Sequence, residues 1–491
     1  STRGDDGPAW SPDGRHFAFS MASRLWLWPV AEDGTPKGDP QLVSDELCDC
    51  PRWSGDSNSL TYLSGGKLRR VAPARGKPQT IPVPLHWAQV LQPRPLVIRA
   101  GKMWDGQERT ARERVDIVVE NAIIASVGPA QGDPPGHAAD FIDASDMMVM
   151  PGLVDSHVHT QMQGYGLGDR EGRLWLSLGI TAVRSLAGPA YHSIEYREAI
   201  ASGARVGPRV FTTGEAIDGT RVFYHMMRPT HEASQLAREL ERADQLSYDV
   251  MKCYVRLPAQ SQRRVVVQAH ARGMPATSHY AYPSLLYGID GIEHMGATNK
   301  LGFARSVSLT GKVYADIETL LARTGAARVP TLFQASALYR DYPQLVADER
   351  LRVLLPPWEY RRLSALMRST DEVAAAAQLK ILENNVAHLL RLDRLGGLIV
   401  AGTDAPIDLL GASLHMNLRA MVRFGFSPVD ALYTATRNAG RMLNERLGEI
   451  RRGAHADLAI VAARPISSSK SATPGVVMVS LALRKSPTSS P

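Results

Sequence analysis

Residues 151–160 read PGLVDSHVHT, a short apolar run that closes on two histidines, His157 and His159. Along a strand, side chains two positions apart project from the same face, so the two imidazoles point together. Imidazole is the commonest protein ligand for metals, and two on one strand make half of a divalent-metal site. The chain holds 14 histidines, so this pair alone is equally compatible with a surface or core accident. The residues downstream decide between the readings.

From this strand outward, strand-like and helix-like segments alternate. TAVRSLAG (181–188), PRVFTTG (208–214), DVMKCYV (249–255), PATSHY (275–280), DGIEHMG (290–296), RVPTL (328–332) and GLIVAGTDAP (397–406) follow in order. Helix-period stretches at 231–246, 262–272, 371–392 and 428–443 separate several of them. Eight strand–helix units predict an α/β protein built on a (β/α)8 TIM barrel, which typically needs about 250 residues. Such barrels carry their chemistry at the C-terminal ends of the strands. Those ends hold His157 and His159 on strand one, Lys252 on strand four, His279 on five, His294 on six and Asp404 on eight.

This ordered set resembles the metal-dependent amidohydrolase superfamily, in its imidazolonepropionase-like and prolidase-like branch. SHYAYPSLLYGIDGIEHMG (278–296) followed by AGTDAP (401–406) carries the likeness, which spans about residues 96–465. The resemblance implies that His157, His159, Lys252, His279, His294 and Asp404 hold divalent metal, expected as two zinc ions per chain. It further implies that Lys252 is carboxylated by carbon dioxide and bridges the metals. Carboxylation requires the neutral amine, which an apolar interior and nearby cations both favour. A water shared by two metals is acidified, and Asp404 then serves as general base and acid in cleaving an amide-type C–N bond. The expected substrates are small: a dipeptide, an N-acyl amino acid or a cyclic amide.

Two alternatives differ in kind. A mononuclear deaminase of the same superfamily needs no lysine bridge and places an acid after the strand-five histidine, where this chain reads HYAYPS. A non-catalytic binding protein would be expected to have lost a ligand, yet all six positions are filled.

Other polar residues receive lesser roles. Tyr254 near the end of strand four, two positions from Lys252, with Arg256, and Tyr224 and His225 beyond strand three, are candidate substrate contacts. His270 precedes strand five on a helix and is expected to pack or hydrogen-bond, while His415 orders the loop after strand eight. Glu293 adjoins His294, and strand alternation predicts that it points away from the metals.

The flanks have a different texture. Residues 96–148 and 445–485 read as short strands and are expected to form one composite β-sandwich around a barrel at 149–444. The possible last strand, VVMVSLAL, leaves closure of that unit open. Near the start, Trp10-Ser-Pro-Asp-Gly14 recurs 43 residues later as Trp53-Ser-Gly-Asp-Ser57, each copy leading into a strand-like run. That period suggests blades of a TolB-like β-propeller, present over residues 1–85 as a partial segment and joined by a linker at 86–95.

Composition excludes several classes. Net charge is +7, but the basic residues do not interleave with aromatics, so no nucleic-acid partner is expected. Three cysteines cannot make a disulfide framework, and no apolar run nears the roughly 20 residues of a membrane span. The sequence opens without an initiator methionine and shows no leader-like segment. A processed form is therefore expected, periplasmic or secreted if a leader was removed and cytoplasmic otherwise. A homo-oligomer is anticipated.

Overall fold

The computed structural model describes residues 8–74, 76–84, 94–132, 139–160, 169–222, 224, 226–295, 308, 311–345, 347–369, 371–462 and 476–477. Its centre is a ring of parallel segments. Leu153–Val158 pairs with Ile180–Ser185, which pairs with Arg209–Thr212. The third segment resumes at Ala216–Asp218 and pairs with Met251–Cys253. Ala276–Ser278, Gly291–Glu293 and Ala327–Val329 then follow in sequence order. These strands are buried on both faces, as expected where helices cover a parallel sheet.

The eighth segment closes the ring without forming a regular ladder. It touches its neighbours through two parallel bridges, Arg328 to Ile399 and Val158 to Ala405. Two local features explain the irregularity. A Cβ at Gly402 would stand 2.8 Å from the His157 Cβ and 2.9 Å from the His157 nitrogen, so the backbones approach too closely for any side chain. Asp404 then adopts a left-handed φ of 64°, which breaks the strand.

Helices occupy the expected intervals at Ala233–Gln245, Ala259–Ala271 and Glu372–Arg394. The predicted helix over 428–443 divides into Pro428–Thr434 and Arg437–Leu443. Its start is fixed by Ser427, whose hydroxyl accepts from the Asp430 amide at 3.1 Å ahead of a proline at the first helical turn. Between strands five and six a single turn, Ser284–Tyr287, stands in place of an α-helix.

Both ends of the chain meet in one sheet. Its strands run Ile123–Pro129, Arg112–Glu120, Leu96–Met103, Asp140–Pro151, Leu458–Ala462 and Val476–Val477 in spatial order. The two flanks thus share one six-stranded ladder, with a register break between Ala144 and Met148. The edge pair Val476–Val477 lies antiparallel to Val461 and Ile460, so the last strand does join. The remainder of VVMVSLAL lies outside the described residues.

At the other flank, residues 9–80 form two four-stranded antiparallel sheets. The sequence repeat is a repeated turn. Asp13 accepts from the Ser11 hydroxyl at 2.6 Å and the Arg15 amide at 3.1 Å, and Asp56 from Ser54 at 2.6 Å and the Asn58 amide at 3.0 Å. A shared apolar cluster of Ala18, Leu25, Leu27, Val43, Cys48, Leu60, Tyr62 and Val71 joins the two sheets. Among the described residues, no helix is long and apolar enough to cross a membrane.

Candidate metal centre

All six expected ligands lie buried at the strand ends. His157 is fully buried, and His159, Lys252, His279, His294 and Asp404 are each 8% exposed or less. Asp404 Oδ1 stands 2.9 Å from His159 Nε2 and 3.3 Å from His157 Nε2, and its Oδ2 lies 3.8 Å from His294 Nδ1. The rings form a chain: His157 to His294 at 4.6 Å between centroids, and His294 to His279 at 4.7 Å. His157, His294 and Asp404 each bring a ligand atom within 4.8 Å of the others.

Lys252 reaches the same chamber. Its ammonium donates to the Leu186 carbonyl at 3.3 Å and sits 5.6 Å from the Tyr254 ring centroid. Burial pushes its pKa down to about 8, against the opposing pull of Glu293 and Asp404. Burial also drives His279 well below its ordinary value and His294 down to about 3. These imidazoles are therefore neutral at pH 7, the form that binds metal. Burial opposes ionisation of Asp404, but its contacts with His157 and with His159 outweigh it and hold the carboxyl well below its ordinary value.

The polar atoms of the cluster fit a divalent cation. His157 Nε2, His279 Nδ1 and Asp404 Oδ1 are buried without a hydrogen bond of acceptable geometry. Unsatisfied groups of this kind are rare inside proteins and often mark an ion site. Imidazole and carboxylate together suit zinc and similar borderline ions.

The surroundings hold three of the four rings in orientation. His157 Nδ1 contacts Glu293 Oε2 at 2.7 Å, His159 Nδ1 contacts the Ala187 carbonyl at 3.2 Å, and His294 Nδ1 contacts Thr331 Oγ1 at 2.6 Å. Such outer contacts set the tautomer and raise ligand affinity. Glu293, expected to point away from the metals, sits behind the His157 ring, on the side opposite Nε2. It is fully buried, touches His157, and is also bound by Arg184 at 2.6 Å and by the Thr277 hydroxyl. Strand alternation fails to describe His294 because that residue turns left-handed, with φ 61°. The adjacency of Glu293 to His294 is the available sequence signal, but it does not reveal a partner 136 residues away.

Asp155 is a residue that the sequence patterns do not mark. Its carboxylate accepts from the Thr403 hydroxyl at 2.7 Å and the Thr403 amide at 3.1 Å, tying strand one to segment eight.

Of the expected substrate contacts, Tyr254 is buried and meets the His279 ring edge-on at 4.6 Å. Tyr224 lies 6.0 Å from Tyr254. Arg256 is exposed, and its guanidinium binds the Arg221 and Val222 carbonyls at 3.2 and 2.9 Å. His225 lies outside the described residues. His270 and His415 act locally, contacting Asp290 at 2.8 Å and the Leu178 carbonyl at 2.7 Å.

Residues 148–480 match the model of the amidohydrolase family. The chain belongs to that family. Short stretches resemble curated amidohydrolases: a dihydroorotase of Solibacter usitatus is 37% identical over 71 residues, 14% of this chain and 16% of that protein. An allantoinase of Rubrobacter xylanophilus is 35% identical over 81 residues, 15% of this chain and 16% of that protein. The chain thus aligns with about a sixth of these relatives' length. Solved structures share the fold over a much larger span. A Xaa-Pro dipeptidase with bound methionine superposes with TM-score 0.56 at 21% identity, covering 76% of this chain and 95% of that one. A bottromycin amidohydrolase gives 0.58 at 19% identity, covering 77% and 84%.

Proposed function

We propose that this amidohydrolase is a metal-dependent hydrolase cleaving an amide-type C–N bond of a small molecule, such as a dipeptide, an N-acyl amino acid or a cyclic amide. The observation that supports it is the buried convergence of four imidazoles, an ionised Asp404 and Lys252, with polar atoms of the cluster left without a hydrogen bond of acceptable geometry.

His157, His159, His279, His294, Asp404 and a carboxylated Lys252 would hold two zinc ions, which supply polarisation of the scissile carbonyl and acidification of water. Asp404, kept charged by its contacts with His157 and His159, accepts the proton of the attacking water and returns it to the leaving nitrogen. Burial favours the neutral Lys252 amine, the form that adds to carbon dioxide; the new N–C bond forms as the amine loses a proton, leaving an anionic carbamate. Tyr254, beside His279, and Tyr224, beside Tyr254, offer the substrate an aromatic wall, while Arg256 orders the adjoining loop. No acid follows His279 in HYAYPS, which favours hydrolysis over deamination.

In this reading residues 149–444 form the catalytic unit, and 96–148 with 445–485 form its flanking sheet. Residues 1–85 are two propeller-like blades, and 86–95 link them to the rest.

The test is a metal count by mass spectrometry together with a screen of dipeptides and N-acyl amino acids. Two ions per chain, and hydrolysis abolished in His157→Ala, are expected. One ion per chain, or activity undiminished by that substitution, overturns the reading.

A further inference from the structure

The strand Asp49–Trp53 carries a carboxylate out of the N-terminal sheets and into the flank of the barrel. Asp49 is 1% exposed. Its Oδ1 accepts from Arg228 Nη2 at 2.9 Å and Arg242 Nη2 at 3.0 Å, and its Oδ2 from Arg242 Nε at 3.1 Å. Glu215 pairs with Arg228, Glu239 pairs with Arg242, and the Ser23 hydroxyl donates to Glu239. Each of these groups is buried, and three carboxylates share two guanidiniums, so Asp49 is the acceptor that bridges Arg228 and Arg242.

Arg228 lies at the middle of the short strand Met227–Pro229, which pairs with Ala216–Asp218. That strand in turn pairs with the strand of Lys252, through Ile217 and Cys253 and through the Tyr254 amide, which donates to the Ile217 carbonyl at 2.8 Å. Met226 and Met227 share one apolar cluster with Ala187, Ala216 and Tyr254, and Tyr224 packs against it. Tyr254 meets His279 edge-on.

We infer that Asp49 is a positioning residue for the candidate active site. By accepting from both Arg228 and Arg242 it pins the strand 227–229, and the apolar cluster built on that strand sets Tyr254 against His279 with Tyr224 beside Tyr254. The N-terminal sheets are then a structural part of the substrate wall, although residues 9–80 lie outside the stretch that matches the family. Only the kinetic half of the test rests on the hydrolase reading.

The experiment compares the full-length chain with Asp49→Asn, Asp49→Glu and Arg238→Ala. Arg238 donates to the Ala22 carbonyl at 2.9 Å, so its loss weakens the same docking surface away from strand 227–229. Amide exchange at 216–218 and 226–230 is expected to quicken by about tenfold in Asp49→Asn, to be partly restored in Asp49→Glu, and to be unchanged in Arg238→Ala. On whichever amide substrate the screen yields, Asp49→Asn raises KM by about five- to tenfold, with kcat and bound metal within about twofold. If Asp49→Asn does not accumulate folded, Arg228→Lys, which keeps the charge and loses the fork, is read the same way. Unchanged exchange at these segments in a folded variant, or an equal rise in Arg238→Ala, overturns the inference. Exchange needs no substrate, so its outcome decides the inference even if no hydrolysis is found.

Discussion

Glu293 Oε2 lies 2.7 Å from His157 Nδ1, and its other oxygen is bound by Arg184 at 2.6 Å. This carboxylate fixes which His157 nitrogen carries the proton and leaves Nε2 directed toward Asp404. Burial alone would raise the pKa of Glu293, but Arg184 and then His157 hold it well below the usual carboxylate range. Replacing it with glutamine keeps the shape and removes the charge. Glu293→Gln is expected to weaken metal binding by roughly 10–100-fold, measured by competition with a chromophoric chelator. An unchanged affinity would show that the contact does not orient the ring for metal.

Asp404 has a different task from its neighbours. Asp404→Asn is expected to lower kcat by about 10²–10⁴-fold on a substrate from the amide screen, the range of a lost general base. Part of that loss can come from weaker metal binding, so metal content is measured on the same sample. If kcat falls less than tenfold at full occupancy, the proton-transfer role goes to another group.

Lys252 offers a chemical signature. Protein loaded with zinc in ¹³C-labelled bicarbonate should show a carbamate carbon signal that is absent from Lys252→Met. That variant should also lose most of its second metal ion. A wild-type spectrum without the carbamate signal would leave Lys252 as an ordinary buried amine donating to Leu186.

Gly402 is the point where segment eight passes strand one. A methyl there meets the His157 Cβ and Val329 Cγ1, both at 2.8 Å. Overpacking of this kind costs about 1–3 kcal/mol and here displaces the backbone of His157, a candidate ligand. Gly402→Ala should therefore fold with a lowered melting temperature and bind metal poorly. Normal metal binding in that variant would mean that His157 is not held in place by this contact.

Acid should destabilise the fold at a site remote from the metals. Burial pushes His415 down to about 4, and its neutral ring contacts the Leu178 carbonyl through Nε2. The unfolded chain binds a proton near pH 6.5 and the folded one only near 4. Its contribution is thus complete above pH 6.5 and is lost as pH falls toward 4, by on the order of 3 kcal/mol at most. Thermal melts across that window should flatten in His415→Gln relative to the wild type. Parallel curves would assign the acid sensitivity elsewhere.

Much of this arrangement is legible in the amino-acid order. His-x-His at the end of an apolar run, a lysine within VMKCYV and an aspartate in AGTDAP are local patterns, and barrel order follows from the alternation of strand and helix signals. The repeated Trp-Ser turn is likewise visible as a 43-residue offset. Glu293 escapes such reading because alternation holds only while the chain stays extended, and His294 turns left-handed at the strand end. Asp49 carries no signal at all, since one aspartate in a strand looks like any other.

The sequence by itself determined which side chains are candidates to bind metal and in what order the strands present them, because ligand chemistry and strand period are properties of a few neighbouring residues. Tertiary structure alone decided their partners: Glu293 with His157, Thr403 with Asp155, and Asp49 with Arg228 and Arg242. Each of these partnerships joins residues more than a hundred positions apart. Burial raises the cost of leaving a charge unpaired, so such partners are set by where the chain folds back on itself and not by any local pattern.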